Sequence, residues 1–250
     1  MIFSPNCNIN NRVNLKIENV QLCQVPNEKE TSIRVLGFFL DEKLNLKDHL
    51  KNICSKVSKS IFFISRAKGI LDKTSLKLLY FSRVHSHLLY CLPLLTLLNK
   101  AEIAKLLKLQ KRAIRLVYGK KYNDHCDPLF HDLGILPINT QLDYEIIKFM
   151  HNIKYFNKPP FFRDTWHLNR DFNRPYGLRN NDDFYCPRVI KTSFFKHPLY
   201  YFPKLWNNLD NNIKTVNRKA FISSLKRKFF GSLHNVRCVK VNCKICHLMI

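Results

Sequence analysis

Along the first forty residues apolar and polar positions alternate, and from Leu46 onward the apolar ones recur at threes and fours. Val13, Leu15 and Ile17 alternate with Asn14, Lys16 and Glu18, the period of a half-buried strand. Met1-Ile2-Phe3 reads as another short strand, closed by a turn at Ser4-Pro5-Asn6, and Pro26-Asn27-Glu28 marks a second break. The apolar run 33–40 passes through Gly37 and is expected to be a paired strand. Two or three such strands with no further sheet are marginal by themselves.

The helical period begins with Leu50, Ile53, Val57, Ile61 and Ile64 on one stripe, with Lys51, Lys56, Lys59 and Arg66 mostly off it. Gly69 ends this helix, and Asp72 stands where a cap for the next is needed. In that second helix Leu76, Leu79, Tyr80, Val84, Leu88 and Cys91 repeat until Pro93. A third helix opens at Asn99, with Glu102 three positions on in a capping-box arrangement. Its core stripe is Ile103, Leu106, Leu107, Ala113, Ile114 and Val117, and Gly119 occupies the place of a C-terminal cap. Asp127-Pro128 and Leu133-Gly134-Ile135-Leu136-Pro137 form a structured connection. A fourth helix follows, with Leu142, Ile146, Phe149, Met150 and Ile153 inward. Lys158-Pro159-Pro160 marks a boundary. Residues 161–204, rich in Pro, Asn, Asp and aromatics without a sustained period, read as extended loop laid over a surface. Packing resumes at Leu205-Trp206. Asn217 caps a last helix with Phe221, Leu225 and Phe229 inward and Lys219, Lys226 and Arg227 outward, and a Cys-rich tail follows from Cys238.

Lys and Arg number 42 against 18 Asp and Glu, a formal charge of +24 over 250 residues. Self-repulsion on that scale calls for a polyanion, nucleic acid or an anionic membrane surface. Abundant Asn, Lys, Ile, Phe and Tyr carry the mark of an A+T-rich genome, which accounts for part of the Lys but not for the missing carboxylates. With only six Gly, and with neither G-x-G-x-x-G nor G-K-[ST], nucleotide binding through those loops is excluded. Nine scattered Cys and an N-terminal decapeptide without an apolar core lead us to expect a reducing compartment, cytoplasm or nucleus. The apolar run 88–98 is too short to span a bilayer.

Several landmarks stand in a telling order. They are Arg34-Val35-Leu36-Gly37 followed by Asp41, Leu44 and His49; the basic helix through Lys105, Lys108, Lys111, Arg112, Ala113, Ile114 and Arg115; Leu133-Gly134-Ile135-Leu136-Pro137; Leu205-Trp206-Asn207-Asn208-Leu209; and the closing stretch 221–230. Their sequence and spacing over nearly the whole chain resemble the C-terminal part of the non-LTR, LINE-type (jockey-like) reverse transcriptases of animal retrotransposons, a family of RNA-directed DNA polymerases. The resemblance implies that Leu36 and Gly37 lie in a hairpin that steadies the primer end, a primer grip. It also implies a helical thumb, a connecting region, and RNA or DNA (an RNA–DNA hybrid) held by its backbone. One departure outweighs these matches. The family's palm carries an aromatic-Ala-Asp-Asp turn and a distant Asp that hold two Mg²⁺ ions, and this sequence has none of them. Met1-Ile2-Phe3-Ser4-Pro5 resembles the strand after that turn, so the chain is expected to start just past the chemistry, without fingers, nucleotide pocket or endonuclease. Asp210 also departs from the family, which usually has Pro there.

The expectation is therefore a mainly α protein: an N-terminal β-hairpin remnant (1–45), a helical thumb-like bundle (46–157), an extended loop region with a C-terminal helix (158–237) and the Cys-rich tail (238–250). Its expected role is non-catalytic and needs no cofactor. The candidate phosphate contacts are Lys105, Lys108, Arg112 and Arg115, one face of the third helix. Between Glu102 and Asp124 no acidic residue occurs against seven Lys or Arg, whereas an idle solvated face mixes both signs. Lys51, Lys56, Lys59 and Arg66 join them on the same logic. Asp182-Asp183 is a polar loop pair rather than a polymerase centre. Cys238, Cys243, Cys246 and His247 carry one C-x-x-C, but adjacent Cys246 and His247 suit a single zinc poorly. His85 and His87, two apart, cannot face one metal. The alternatives are the relic product of a truncated element, or a fragment of an active polymerase whose catalytic part lies upstream.

Overall fold

The computed structural model describes residues 16–17, 20–21, 32–41, 46–162, 164–172 and 181–234. The protein is mainly helical with short N-terminal hairpins. It divides into two compact units, Met1–Asn52 and Ile53–Ile250.

In the first unit β1 (Lys16–Ile17) pairs antiparallel with β2 (Val20–Gln21), and β3 (Ser32–Val35) with β4 (Phe38–Asp41). The run through Gly37 is thus not one strand. It folds back at Leu36-Gly37, where φ is 49° and 84°, with Val35 opposite Phe38. Positive φ at both central positions is one of the favoured two-residue hairpin geometries, natural for Gly37 and strained for Leu36. The hairpin inferred from the resemblance is the geometry present. Phe38 is buried, its ring 3.8 Å from that of His49 near the start of α1 (Lys47–Ala67). The strands expected at 1–3 and 13–15 lie outside the described residues.

The stripe Leu50, Ile53, Val57, Ile61 and Ile64 on α1 is buried throughout. Asp72 caps α2 (Lys73–Tyr80), accepting from the amides of Thr74 and Ser75 at 3.1 and 3.3 Å. The second helix is not uniform. A π-helical turn, Phe81–His85, separates α2 from α3 (Ser86–Leu89), and the Ser86 amide donates to the Phe81 carbonyl. The cause is legible in the spacing. Leu76, Tyr80, Val84 and Leu88 are each four apart, which in an α-helix drifts about 40° per step. One underwound turn keeps all four in the core, where each is buried. Cys91, with φ 52°, then breaks the helix ahead of a 3₁₀ segment, Leu92–Leu97.

At the start of α4 (Lys100–Val117) the expected capping box is present. The Asn99 amide donates to Glu102 at 2.7 Å, and the Asn99 side-chain oxygen also accepts from Lys196 at 2.8 Å. Gly119, φ 60°, closes the helix: the Lys120 amide reaches the Arg115 carbonyl at 2.8 Å and the Gly119 amide that of Leu116 at 3.2 Å. The connection after it holds a short helix that the sequence pattern did not suggest, α5 (Asp127–Leu133). Next comes α6 (Ile138–Phe156), the central helix, which packs against α4 and the 3₁₀ segment and against two later helices. Gln110, mid-α4 and buried, ties these pieces together. Its amide donates to the Leu136 carbonyl at 3.1 Å and its oxygen accepts from the Ile138 amide at 2.8 Å, the cap that Pro137 cannot supply. Gln110→Leu would orphan both backbone groups and should cost about 2–4 kcal/mol. Urea denaturation checks this, and a loss under 1 kcal/mol would show that water satisfies them.

Described residues of the segment 161–204 pack on α6. Phe149 of α6 meets Phe162, Trp166 and Phe202 edge-on at 5.6, 5.9 and 6.1 Å. The segment is not all loop, however. A helix, α7 (Pro198–Asn207), starts well before Leu205-Trp206 and carries both near its end. Two prolines mask it in the sequence. Pro198 sits in the first turn, where no donor is needed, and Pro203 gives up one helical hydrogen bond while its ring is buried. Asn217 caps α8 (Arg218–His234), accepting from the Lys219 amide at 3.0 Å. Phe221 and Leu225 of α8 are buried as expected, and Phe229 is half-buried.

His151 holds α8 to α6. Its ring stacks on Phe221 at 3.9 Å, and Nε2 lies 2.8 Å from the Thr215 carbonyl, which fixes that nitrogen as a donor. Nδ1 is buried without a partner among the described residues. Burial, and then Arg218, lower the imidazole below its ordinary 6.5, while the Thr215 bond opposes them. Below pH 6.5 the unfolded chain therefore takes up a proton that the fold refuses. Stability from this group is complete above pH 6.5 and declines as pH falls through that value toward the lowered one. His151→Phe, which keeps the stack, should narrow the fall in melting temperature between pH 7.5 and 5.5. An unchanged difference would exclude His151 as its source.

Candidate nucleic-acid interface

The face of α4 opposite Leu106, Ala113, Ile114 and Val117 carries Lys105, Lys108 and Arg112, all exposed. Spacings of three and four align them along one ridge, about 10 Å from first to last at 1.5 Å per residue. None of the three forms an ion pair among the described residues. Arg115, the fourth expected contact, is engaged elsewhere. Its Nε donates to the Asp124 carbonyl at 2.8 Å and its guanidinium lies 5.9 Å from the Tyr122 ring, so it braces the loop after α4. Lys111 likewise faces Asp127 at 3.8 Å.

On α1, Lys56, Lys59 and Arg66 are exposed and outside any ion pair among the described residues, whereas Lys51, in the first unit, is paired with Asp48 at 3.0 Å. The π-helical turn packs beside α1, with Ser60 Oγ donating to the Arg83 carbonyl at 3.2 Å. That contact brings Arg83, which the sequence pattern did not single out, onto the face of Lys56. Burial first, and then the positive charges of Lys56 and Arg83, push the nearby His87 imidazole below its ordinary value. The α4 ridge is close to α1 as well, since Lys105 is near enough to Cys54 to favour its thiolate, although burial dominates and raises that thiol. Lys73 and Lys77 differ from all of these. Both lie 3.9 Å from Asp132 and over the Tyr118 ring, whose hydroxyl donates to Asp132.

Leu36 is 91 % exposed at the tip of its hairpin, beside the half-buried Gly37. Asp182 and Asp183 are not simply a solvated pair. Asp182 meets Arg170 at 3.0 Å, and Asp183 meets Lys214, whose side chain is 8 % exposed, at 3.3 Å. The second carboxylate thus compensates a buried cation. Cys238, Cys243, Cys246 and His247 lie outside the described residues. Among those described, no group of three or more His, Cys, Asp or Glu is arranged to hold a metal, and no helix is long and apolar enough to cross a membrane. Cys54, Cys91, Cys126 and Cys186 are free thiols. No protein-family model matches the sequence, and neither a curated protein nor a solved structure matches it.

Proposed function

We propose that this chain grips nucleic acid by its phosphate backbone, in the manner expected of the thumb and connection region of a LINE-type reverse transcriptase, and catalyses nothing itself. The observation that carries the reading is the unneutralised ridge Lys105, Lys108 and Arg112, together with Lys56, Lys59 and Arg66 on α1. Cations that serve only solubility are usually interspersed with carboxylates, whereas between Glu102 and Asp124 there are none. Lysines and arginines aimed at solvent without partners suit counterion release from a polyanion. They carry no means of reading base edges, so sequence preference should be weak. The template–primer hybrid of a reverse transcriptase is the partner that the family resemblance favours.

The test is the triple variant Lys105→Ala/Lys108→Ala/Arg112→Ala, titrated by fluorescence anisotropy against a primed RNA. Binding at low salt should weaken about tenfold or more, with helix content intact because all three side chains face solvent. The pair Lys73→Ala/Lys77→Ala, both drawn to Asp132, which offsets one of their two charges, serves as control and should change less. Equal losses in both variants would mean that only total charge matters, and no loss in the triple variant would remove this face from the interface.

A further inference from the structure

Positions 56, 59, 63 and 66 of α1 are separated by three, four and three residues, so they form one ridge. Three are Lys56, Lys59 and Arg66, outside any ion pair among the described residues, and the remaining one is Phe63, which is 52 % exposed. Next to it Phe62 is 62 % exposed. The Arg66 guanidinium lies 5.3 Å from the Phe62 ring, and Arg83, from the π-helical turn, lies 5.9 Å from the Phe63 ring. Two large rings are therefore exposed to solvent, each with an arginine beside it, and Lys56 and Lys59 precede them on the same helix. From residue 53 to residue 101 the sequence has a single carboxylate, Asp72, and it is occupied in capping α2.

A face of that kind is poorly suited to an apolar protein surface, because docking there would desolvate Lys56, Lys59, Arg66 and Arg83 with nothing to pair them. It suits a strand that brings phosphates and flat apolar rings together. Unpaired bases stack on exposed aromatics while their backbone is tracked by neighbouring cations, whereas bases in a duplex are already stacked and offer phosphates alone. We propose that Phe62 and Phe63, bracketed by Arg66 and Arg83, are a stacking platform for unpaired bases, so that α1 and the π-helical turn receive single-stranded nucleic acid. This rests on the nucleic-acid reading above and adds the strandedness of the partner at this face. The π-helical turn has a role in it, since it is the element that brings Arg83 beside Phe63.

The experiment compares wild type, Phe62→Ala/Phe63→Ala and Phe62→Tyr/Phe63→Tyr on three 20-nucleotide probes: single-stranded RNA of mixed sequence, a fully abasic strand and a blunt duplex. The alanine variant should bind the RNA about 10- to 100-fold more weakly, with an unchanged slope against log salt, since no phosphate contact is removed. Its affinity for the abasic strand and the duplex should stay within about twofold, and the tyrosine variant should bind the RNA as wild type does. Both rings are more than half exposed, so the variants should fold, and circular dichroism verifies it. Equal losses on RNA and abasic strand, or no loss on RNA, would overturn the stacking platform and leave the rings to a protein partner. Salt-sensitive binding would still uphold the nucleic-acid reading in either case. Wild type that binds none of the probes would remove both.

Discussion

Trp206→Ala is expected to destabilise the chain by about 3–5 kcal/mol, a large share of the roughly 5–15 kcal/mol typical of a domain. The indole is 0 % exposed and lies where three helices and the loop meet. Its ring centroid is 6.1 Å from His151 and 6.2 Å from Tyr155 on α6, 5.9 Å from Phe221 on α8 and 6.3 Å from Phe184. Lys154 and Lys214 approach its face at 5.7 and 6.0 Å, so part of the attraction is between cation and ring. Removing it opens a void that α6, α7 and α8 border together and cannot close singly. Trp206→Phe should cost less than half as much, because the indole N–H has no partner whose loss would be felt. Urea midpoints followed by circular dichroism measure both. An alanine penalty under about 1 kcal/mol would mean that α7 and α8 are not packed on α6 as described.

Much of this fold is legible in the chain, for identifiable reasons. The stripes of α1, α4 and α6 show because each packs one face at the helical period, and the caps at Asp72, Asn217 and Gly119 show because their chemistry is local. What was not legible depends on partners distant in sequence. Gln110 reads as a polar interruption until Leu136 and Ile138 arrive to meet it. The helix α7 is hidden by Pro203, whose lost hydrogen bond is offset by burial that only the folded chain provides. The hairpin turn at Leu36-Gly37 does not show in the apolar run itself, because a leucine there holds a conformation that favours glycine, and only the resemblance pointed to it.

The candidate interface divides in the same way. Alignment of Lys105, Lys108 and Arg112 follows from spacing alone, and so does that of Lys56, Lys59 and Arg66. Diversion of Arg115 to the Asp124 carbonyl could not be read from its place on the helix, because the acceptor is a backbone group in the loop beyond. Arg83 is a lone cation whose position depends on the π-helical turn. Phe62 and Phe63 fall outside the stripe Leu50, Ile53, Val57, Ile61 and Ile64, and nothing local marks them as a site.

Salt dependence probes the polyanion partner most directly. Lys105, Lys108, Arg112, Lys56, Lys59 and Arg66 offer six potential phosphate contacts. At roughly 0.7–0.9 counterions released per contact, the log–log slope of affinity against salt should be about −4 to −5. Between 50 and 200 mM salt the affinity should then fall about 300- to 1,000-fold. The measurement is an anisotropy titration of the full chain on a primed RNA and on a scrambled duplex, repeated with Lys105→Ala/Arg112→Ala. A steep slope is expected on both ligands, with little preference between sequences, and a double variant flatter by about 1.5. A slope that the variant leaves unchanged would place these cations on an idle surface, and binding indifferent to salt would contradict nucleic acid as the partner of this +24 chain.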